Sequence, residues 1–403
     1  MDWQTSEDTV PSAFITEANS RALIGKPPAT GAWRTGDPTG DRKFAAVGSL
    51  RLERGGALPN VRIAYETYGT LNSDASNAVL VLHALTGDSH LAGPAGPGHP
   101  TAGWWGGIVG PGKPIDTDEW FVVAPNMLGG CQGTTGPASF APDGTEWGAR
   151  FPFLTIRDQV SAQVLLSDLL GIGAWAAIVG GSMGGMQVIE WAIEYPDRAL
   201  RIGVLAAPEI ANADQLALGS VQVDAIRLDP AYAGGDYYDA ADGDGPYRGL
   251  SLARRMALLS YRSRGELNDR FNRSWQSGVT PLGDGGRYAV ESYLDFHGNK
   301  FTRRFDANSY ITLVEAMNSH DVGRDRGGVA AALGRVTATA LVLGIDSDRL
   351  FPVEHQHTMA RLLPSTIDEG QATITSSPFG HDGFLIEDGP VGTHIRRLLE
   401  AGQ

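Results

Sequence analysis

The stretch Trp175-Ala-Ala-Ile-Val-Gly180-Gly181-Ser182-Met183-Gly184-Gly185-Met186-Gln187 sets a serine at the centre of a Gly-x-Ser-x-Gly pentad. An apolar run precedes it and a helix-type run follows. A serine hydroxyl is a weak nucleophile until a neighbouring base takes its proton. A sharp strand-to-helix turn would present that hydroxyl at the C-terminal edge of a sheet, with glycines two residues to either side letting strand and helix approach. The pentad alone is a weak signal, because glycine-rich turns are common. In its strand–turn–helix context Ser182 is the candidate nucleophile rather than a structural turn serine.

Such a serine needs a base, and the base needs an orienting carboxylate, in the chain order Ser, Asp or Glu, His. After the apolar run Ala338–Leu343 comes Gly344-Ile-Asp346-Ser-Asp348-Arg-Leu-Phe-Pro352. Asp348, four residues before Pro352, is preferred as the acid; Asp346 is its rival and reads as a turn residue. The base is expected past the last strand, Ala372–Thr375, where His381 stands on a glycine-flanked turn, Phe379-Gly-His-Asp-Gly383. The 33 residues from 348 to 381 leave room for one helix, Val353–Leu363, and one strand. His355 and His357 are two apart and would face different sides of that helix, so no metal pair is expected.

The oxyanion formed on attack requires two preorganised donors, each worth roughly 2.7–4 kcal/mol in comparable sites. The backbone N–H of Met183 is one candidate. Leu85, in the loop His83-Ala-Leu-Thr-Gly-Asp88, is the other, with Ala84 as the alternative and His83 read as structural. Cys131 has no histidine or acid beside it in the chain and is a poor nucleophile candidate. Neither a Walker pattern nor a Gly-x-Gly-x-x-Gly opening a helix is present, which disfavours nucleotide hydrolysis and dinucleotide redox chemistry.

Elements able to position these groups are legible as texture. Ala78–Leu82, Phe121–Ala124, Trp175–Val179, Ile202–Ala206 and Ala338–Leu343 are short and apolar throughout, as strands buried on both faces of a parallel sheet are. Leu50–Glu53 and Val61–Tyr68 precede them. Helix-length segments such as Asp158–Leu170 and Met186–Tyr195 alternate with the strands, which predicts an α/β fold with a mostly parallel central sheet. Between residues 212 and 335 strand-like runs become scarce, and helices are expected over Leu250–Tyr261 and Ser309–Met317. The expected organisation is a flexible N-terminal arm over 1–44, a core from 45–211 and 336–403, and a helical lid over 212–335. Leu91–Gly112 is expected to be irregular.

Composition narrows the function classes. Acidic residues number 46 against 32 basic ones, a formal charge of −14, and no Lys/Arg cluster interrupts the pattern, so nucleic acid is an unexpected partner. One cysteine permits no internal disulfide, and no run of about 18 apolar residues suggests a membrane span. The N-terminus lacks a basic start followed by an apolar run, and the expected location is the cytoplasm.

Several ordered segments carry a resemblance beyond the pentad. They are Tyr65–Asn72, Leu82–Asp88, Gly103-Trp-Trp, Gly129-Gly-Cys-Gln-Gly-Thr-Thr-Gly-Pro137, Gly180–Gln187, Ala225-Ile-Arg227 with Gly234–Tyr237, Ser347–Pro352 and Gly380–Phe384. Together they resemble the homoserine O-acetyltransferase family, over about residues 45–400. The resemblance implies an α/β-hydrolase fold with a helical lid and the triad Ser182, Asp348 and His381. It also implies Arg227 gripping the acceptor's carboxylate, Asp382 pairing with its amine, and Tyr237 lining the pocket. The implied substrates are acetyl-CoA and L-homoserine, with no permanently bound cofactor and a homodimer formed through the lid. Competing expectations are succinyl-CoA as donor, L-serine as acceptor, or plain esterase or thioesterase activity. A succinyl tail would want a cation near the thioester, and the loop Ala84–Asp88 itself supplies none, which favours acetyl.

Overall fold

The computed structural model describes residues 23–401. Its strands are β1 (Lys43–Arg51), β2 (Ala57–Tyr68), β3 (Ala78–Leu82), β4 (Val109–Gly110), β5 (Ile115–Asp116), β6 (Phe121–Pro125), β7 (Ala177–Gly181), β8 (Arg201–Leu205), β9 (Thr339–Ile345) and β10 (Thr373–Thr375). All but β4 and β5 join one sheet in the order β1-β2-β6-β3-β7-β8-β9-β10. β2 pairs antiparallel with β1 and β6, and every other neighbouring pair is parallel. The strand that leads to Ser182 therefore lies inside the sheet, and its five residues are all buried.

The all-apolar runs are explained by what covers each face. Side chains alternate along a strand, so Ala78, Leu80 and Leu82 of β3 enter one core cluster while Val79 and Val81 enter another. On the first face pack α1 (Ile156–Leu169) and α2 (Met183–Glu194), through Val160, Leu166, Val188 and Ile189. Buried glutamines bind these two helices together. Trp191 Nε1 donates to Gln163 Oε1 at 2.7 Å, and Gln187 Nε2 donates to Gln159 Oε1 at 3.0 Å. A satisfied buried polar network specifies one alignment of its helices, here that of the helix following Ser182.

Between β8 and β9 the chain forms α3 (Ala213–Arg227), α4 (Tyr247–Tyr261), α5 (Arg264–Phe271), α6 (Ala289–Phe301), α7 (Ala307–Asn318) and α8 (Val329–Leu333), with no sheet strand among the described residues. These helices cover the elbow. One cluster joins Leu85, Met183 and Met186 from the core to Val223, Ile226, Leu250 and Tyr310 from the lid side. After β9 follow α9 (Val353–Leu362), α10 (Gly383–Ile386) and α11 (Asp388–Glu400), the last packing Val391, Ile395 and Leu398 on the second face.

Some expectations need correction. The elbow strand runs to Gly181 rather than Val179, and its helix starts at Met183 rather than Met186. The segment expected to be irregular over Leu91–Gly112 contributes β4, which pairs with β5. Residues 1–22 of the expected flexible arm lie outside the described residues. Its remainder is pinned: Gly31 N–H donates to Phe305 O at 3.1 Å, Trp33 N–H to Cys131 O at 2.9 Å, and Arg42 Nη2 to Gln132 Oε1 at 3.0 Å. A Cβ on Gly31 would lie 2.4 Å from Arg304 N, so this glycine permits close approach. Prolines and glycines there mark the lack of regular structure, which does not preclude tertiary hydrogen bonds.

Candidate active site

Ser182 is the residue between β7 and α2, with φ 57° and ψ −125°, a conformation that side chains rarely adopt. Its N–H donates to Leu205 O at 2.9 Å, and its own C=O accepts from Met186 N–H at 3.1 Å. The flanking glycines are sterically required. A Cβ on Gly180 would lie 2.7 Å from the Gly184 backbone, and one on Gly184 would lie 2.2 Å from Leu82 O.

The loop after β9 and the turn after β10 bring Asp348 to His381. Asp348 Oδ2 accepts from His381 Nδ1 at 2.7 Å, while Oδ1 accepts from the N–H groups of Leu350 and Phe351 at 2.8 and 3.0 Å. Both side chains are buried. With Nδ1 committed to Asp348, the free nitrogen of the ring is Nε2. Burial alone would lower the His381 pKa; the charge and hydrogen bond of Asp348, with the charge of Asp382, hold it above its ordinary 6.5. Asp346 points elsewhere, accepting from Ser377 N–H at 3.0 Å, as a turn residue does.

Ser182 and His381 line one cavity of about 260 Å³, together with Leu85, Asp382, Arg254 and Arg304. The Leu85 N–H makes no hydrogen bond among the described residues. Met183 opens α2, so its N–H is a first-turn donor without an intrahelical partner. His83 is held in the fold, its Nε2 accepting from Met127 N–H at 3.0 Å and its Nδ1 donating to Ala84 O at 2.7 Å. Asp382 is 3.3 Å from Arg262 Nε; burial raises its pKa against the opposing charges of Arg262 and His381.

Two residues taken from the resemblance are not in this cavity. Arg227 ends α3 with its side chain 49 % exposed and paired with Glu315 at 2.7 Å. Tyr237 is buried in the lid, where its hydroxyl donates to Asp306 Oδ1 at 2.8 Å and accepts from Asn308 N–H at 2.9 Å. The cations that line the cavity from the lid are instead Arg262, Arg304 and Arg254, the last on α4 seven residues before Tyr261 on the same helix face. That spacing was a usable signal, since Tyr261 also lines the cavity. Arg304 was missed as well; it follows α6, and no periodicity marks it.

The loop 84–88 is also not free of cations. Arg254 Nη1 lies 3.4 Å from Thr86 Oγ1, and Arg304 Nη2 donates to Thr86 O at 2.9 Å. Its own lack of cations therefore does not argue against a succinyl tail. Cys131 is outside this cavity, and burial pushes its thiol up to about 12, so it is not a thiolate nucleophile. Separately, Asp41, Glu66, His90 and His99 bring ligand-type atoms together, but Glu66 is occupied by hydrogen bonds from Tyr68, Ser89 and His90.

A family model described as alpha/beta hydrolase fold matches residues 77–388. A homoserine O-acetyltransferase of Clavibacter michiganensis is 70 % identical over 386 residues, covering 96 % of this chain and 99 % of that protein. Another, from Leifsonia xyli, is 67 % identical over 402 residues, with 100 % of both chains covered. The chain belongs to the homoserine O-acetyltransferase family. Among solved structures, a homoserine O-acetyltransferase from Bacillus anthracis superposes with a TM-score of 0.81 at 27 % identity, covering 89 % of this chain and 97 % of that one. Esterase E22 superposes with a TM-score of 0.80 at 27 % identity, covering 89 % and 99 %. The fold that homoserine O-acetyltransferases use is thus shared with ester hydrolases. No helix of the described residues is long and apolar enough to cross a membrane.

Proposed function

We propose that this protein moves an acetyl group from acetyl-CoA to the hydroxyl of L-homoserine, giving O-acetyl-L-homoserine and CoA for methionine biosynthesis. The carrying observation is the buried Asp348–His381 pair lining one cavity with the elbow serine, in a chain 70 % identical to a named homoserine O-acetyltransferase.

In the first half-reaction His381 Nε2 takes the proton of Ser182 Oγ as that oxygen attacks the thioester carbonyl. The Leu85 and Met183 N–H groups receive the oxyanion. The C–S bond breaks, the sulfur leaves with the proton from His381, and Ser182 is left as its acetyl ester. In the second, the same imidazole takes the proton of the homoserine hydroxyl, which attacks the ester; Ser182 recovers its proton as the product leaves. We assign the acceptor's carboxylate to Arg254 rather than to Arg227, the residue the resemblance implies, since the Arg254 guanidinium lines the cavity and meets no carboxylate at ion-pair distance among the described residues. Asp382 receives the ammonium. An acceptor held at both charges competes with water through effective molarity, which reaches roughly 10⁵ M or more for well-aligned groups.

The donor's identity as acetyl-CoA rests on the names of the relatives. An esterase reading draws support from the likeness to esterase E22. The two readings separate on free-CoA release. The acyltransferase releases CoA fast only with homoserine present; equal release without it would make the protein a thioesterase. Intact mass after mixing with acetyl-CoA should carry one acetyl group, absent in Ser182→Ala, whose turnover should fall by about four to six orders of magnitude. We place the enzyme in the cytoplasm, on the ground of its single buried thiol, and as a homodimer through the lid.

A further inference from the structure

The lid side of the cavity carries more positive charge than an amino-acid acceptor needs. Arg254 and Arg304 flank one ring, their guanidinium carbons 5.1 and 5.7 Å from the Phe301 centroid. Lys300, in the last turn of α6 next to Phe301 in the chain, is near enough to Arg304 for the two charges to oppose each other. None of the three meets a carboxylate at ion-pair distance among the described residues. His297, one turn-face away on α6, packs edge-on against Tyr293 at 4.5 Å. Burial, then the charges of Arg254, Arg262, Lys300 and Arg270, push its pKa down to about 3, leaving a neutral ring among cations. Burial and the charge of Arg304 likewise lower the Lys300 pKa.

Crowding like charges in a partly buried place is costly unless an anion relieves it. Most of these cations have a use already. Arg262 meets Asp382 and Arg270 meets Glu266, while Arg254 is assigned to the acceptor's one carboxylate. Lys300 remains, and so does Arg304, whose guanidinium is held by Thr86 O and feels the charge of Asp88 without meeting it at ion-pair distance. The chain as a whole carries −14, so an anionic ligand would be repelled from most other surfaces.

We propose that Arg304 and Lys300 bind the phosphate-bearing end of the acyl-CoA donor, Arg304 from the cavity lining and Lys300, four residues before it in the chain, from outside that lining. This rests on the acyl-CoA reading above. A guanidinium and an ammonium both suit phosphate oxygens, the first as a fork and the second as a point charge.

The test compares acetyl-CoA with the acetyl thioester of N-acetylcysteamine, which keeps the reacting thioester and lacks the nucleotide. Lys300→Gln should raise KM for acetyl-CoA about tenfold, the scale of one lost charged hydrogen bond. It should leave kcat, KM for homoserine and the rate with the short thioester unchanged, and Lys300→Arg should restore KM. Added salt should raise the acetyl-CoA KM of the unaltered enzyme more steeply than that of Lys300→Gln. An unchanged KM for acetyl-CoA, or equal losses on both donors, would overturn the assignment while homoserine acetylation persists. Failure of the unaltered enzyme to acetylate homoserine would overturn the functional reading itself.

Discussion

His381 feels burial on one side and two carboxylates on the other, and the carboxylates win. Since the base must be neutral, the rate of Ser182 acylation should rise with pH through a midpoint above 6.5 and then level off. Asp348 stabilises the protonated ring, so Asp348→Asn should move that midpoint down as well as slow the reaction; a midpoint that stays put under stopped-flow acylation would remove the coupling. Arginines offer a second residue-scale contrast. Arg254→Ala should raise KM for homoserine by about 10–100-fold, with acylation of Ser182 left nearly intact, because a lost charged pair costs about 1.5–3 kcal/mol. Arg227→Ala, which removes a half-exposed pair with Glu315 and a contact with the Tyr232 hydroxyl, should change homoserine KM less than Arg254→Ala does. Steady-state kinetics on the two variants decides between these arginines.

At the scale of elements, the elbow depends on how closely α2 can approach β3 and β7. Gly184 is the contact point, with the Leu82 carbonyl where a side chain would begin. Gly184→Ala should therefore destabilise the fold by about 1–3 kcal/mol through overpacking, visible as a lowered Tm, and should slow acylation by tilting the turn. Glutamines 159, 163 and 187 add a polar lock between α1 and α2 that no hydrophobic pattern announces. Strand positions were largely readable, since runs such as Ala78–Leu82 are apolar at every residue and their two faces meet different cores. Strand ends were less so. Trp175 makes an isolated bridge to Ala199 rather than joining β7, because burial continues past the point where pairing begins.

For the whole molecule, the lid helices leave Leu216, Val221, Leu252 and Leu259 exposed on α3 and α4. Exposed apolar groups on adjacent helices suit a partner surface. Light scattering should therefore give twice the 42.7 kDa chain mass, and charged replacements at Leu216 and Leu252 together should return it to the single-chain value. A single-chain mass for the unaltered protein would remove the dimer.

Neighbouring residues alone dictated the glycine-flanked turn at Ser182, the acid loop after β9 and the turn carrying His381, because such features depend on φ/ψ preferences and local sterics. The same chain text could not say which arginine looks into the cavity. Arg227 and Arg254 both sit in amphipathic helices of the lid, and the packing of α3 and α4 over the elbow turns one outward to Glu315 and the other inward to Ser182's cavity. Arg304 enters that cavity from a segment held by the chain's own N-terminal stretch at Gly31. Orientation of a side chain across 70 or more residues is set by the joint burial of several helices, a property of the assembled core rather than of any stretch of it.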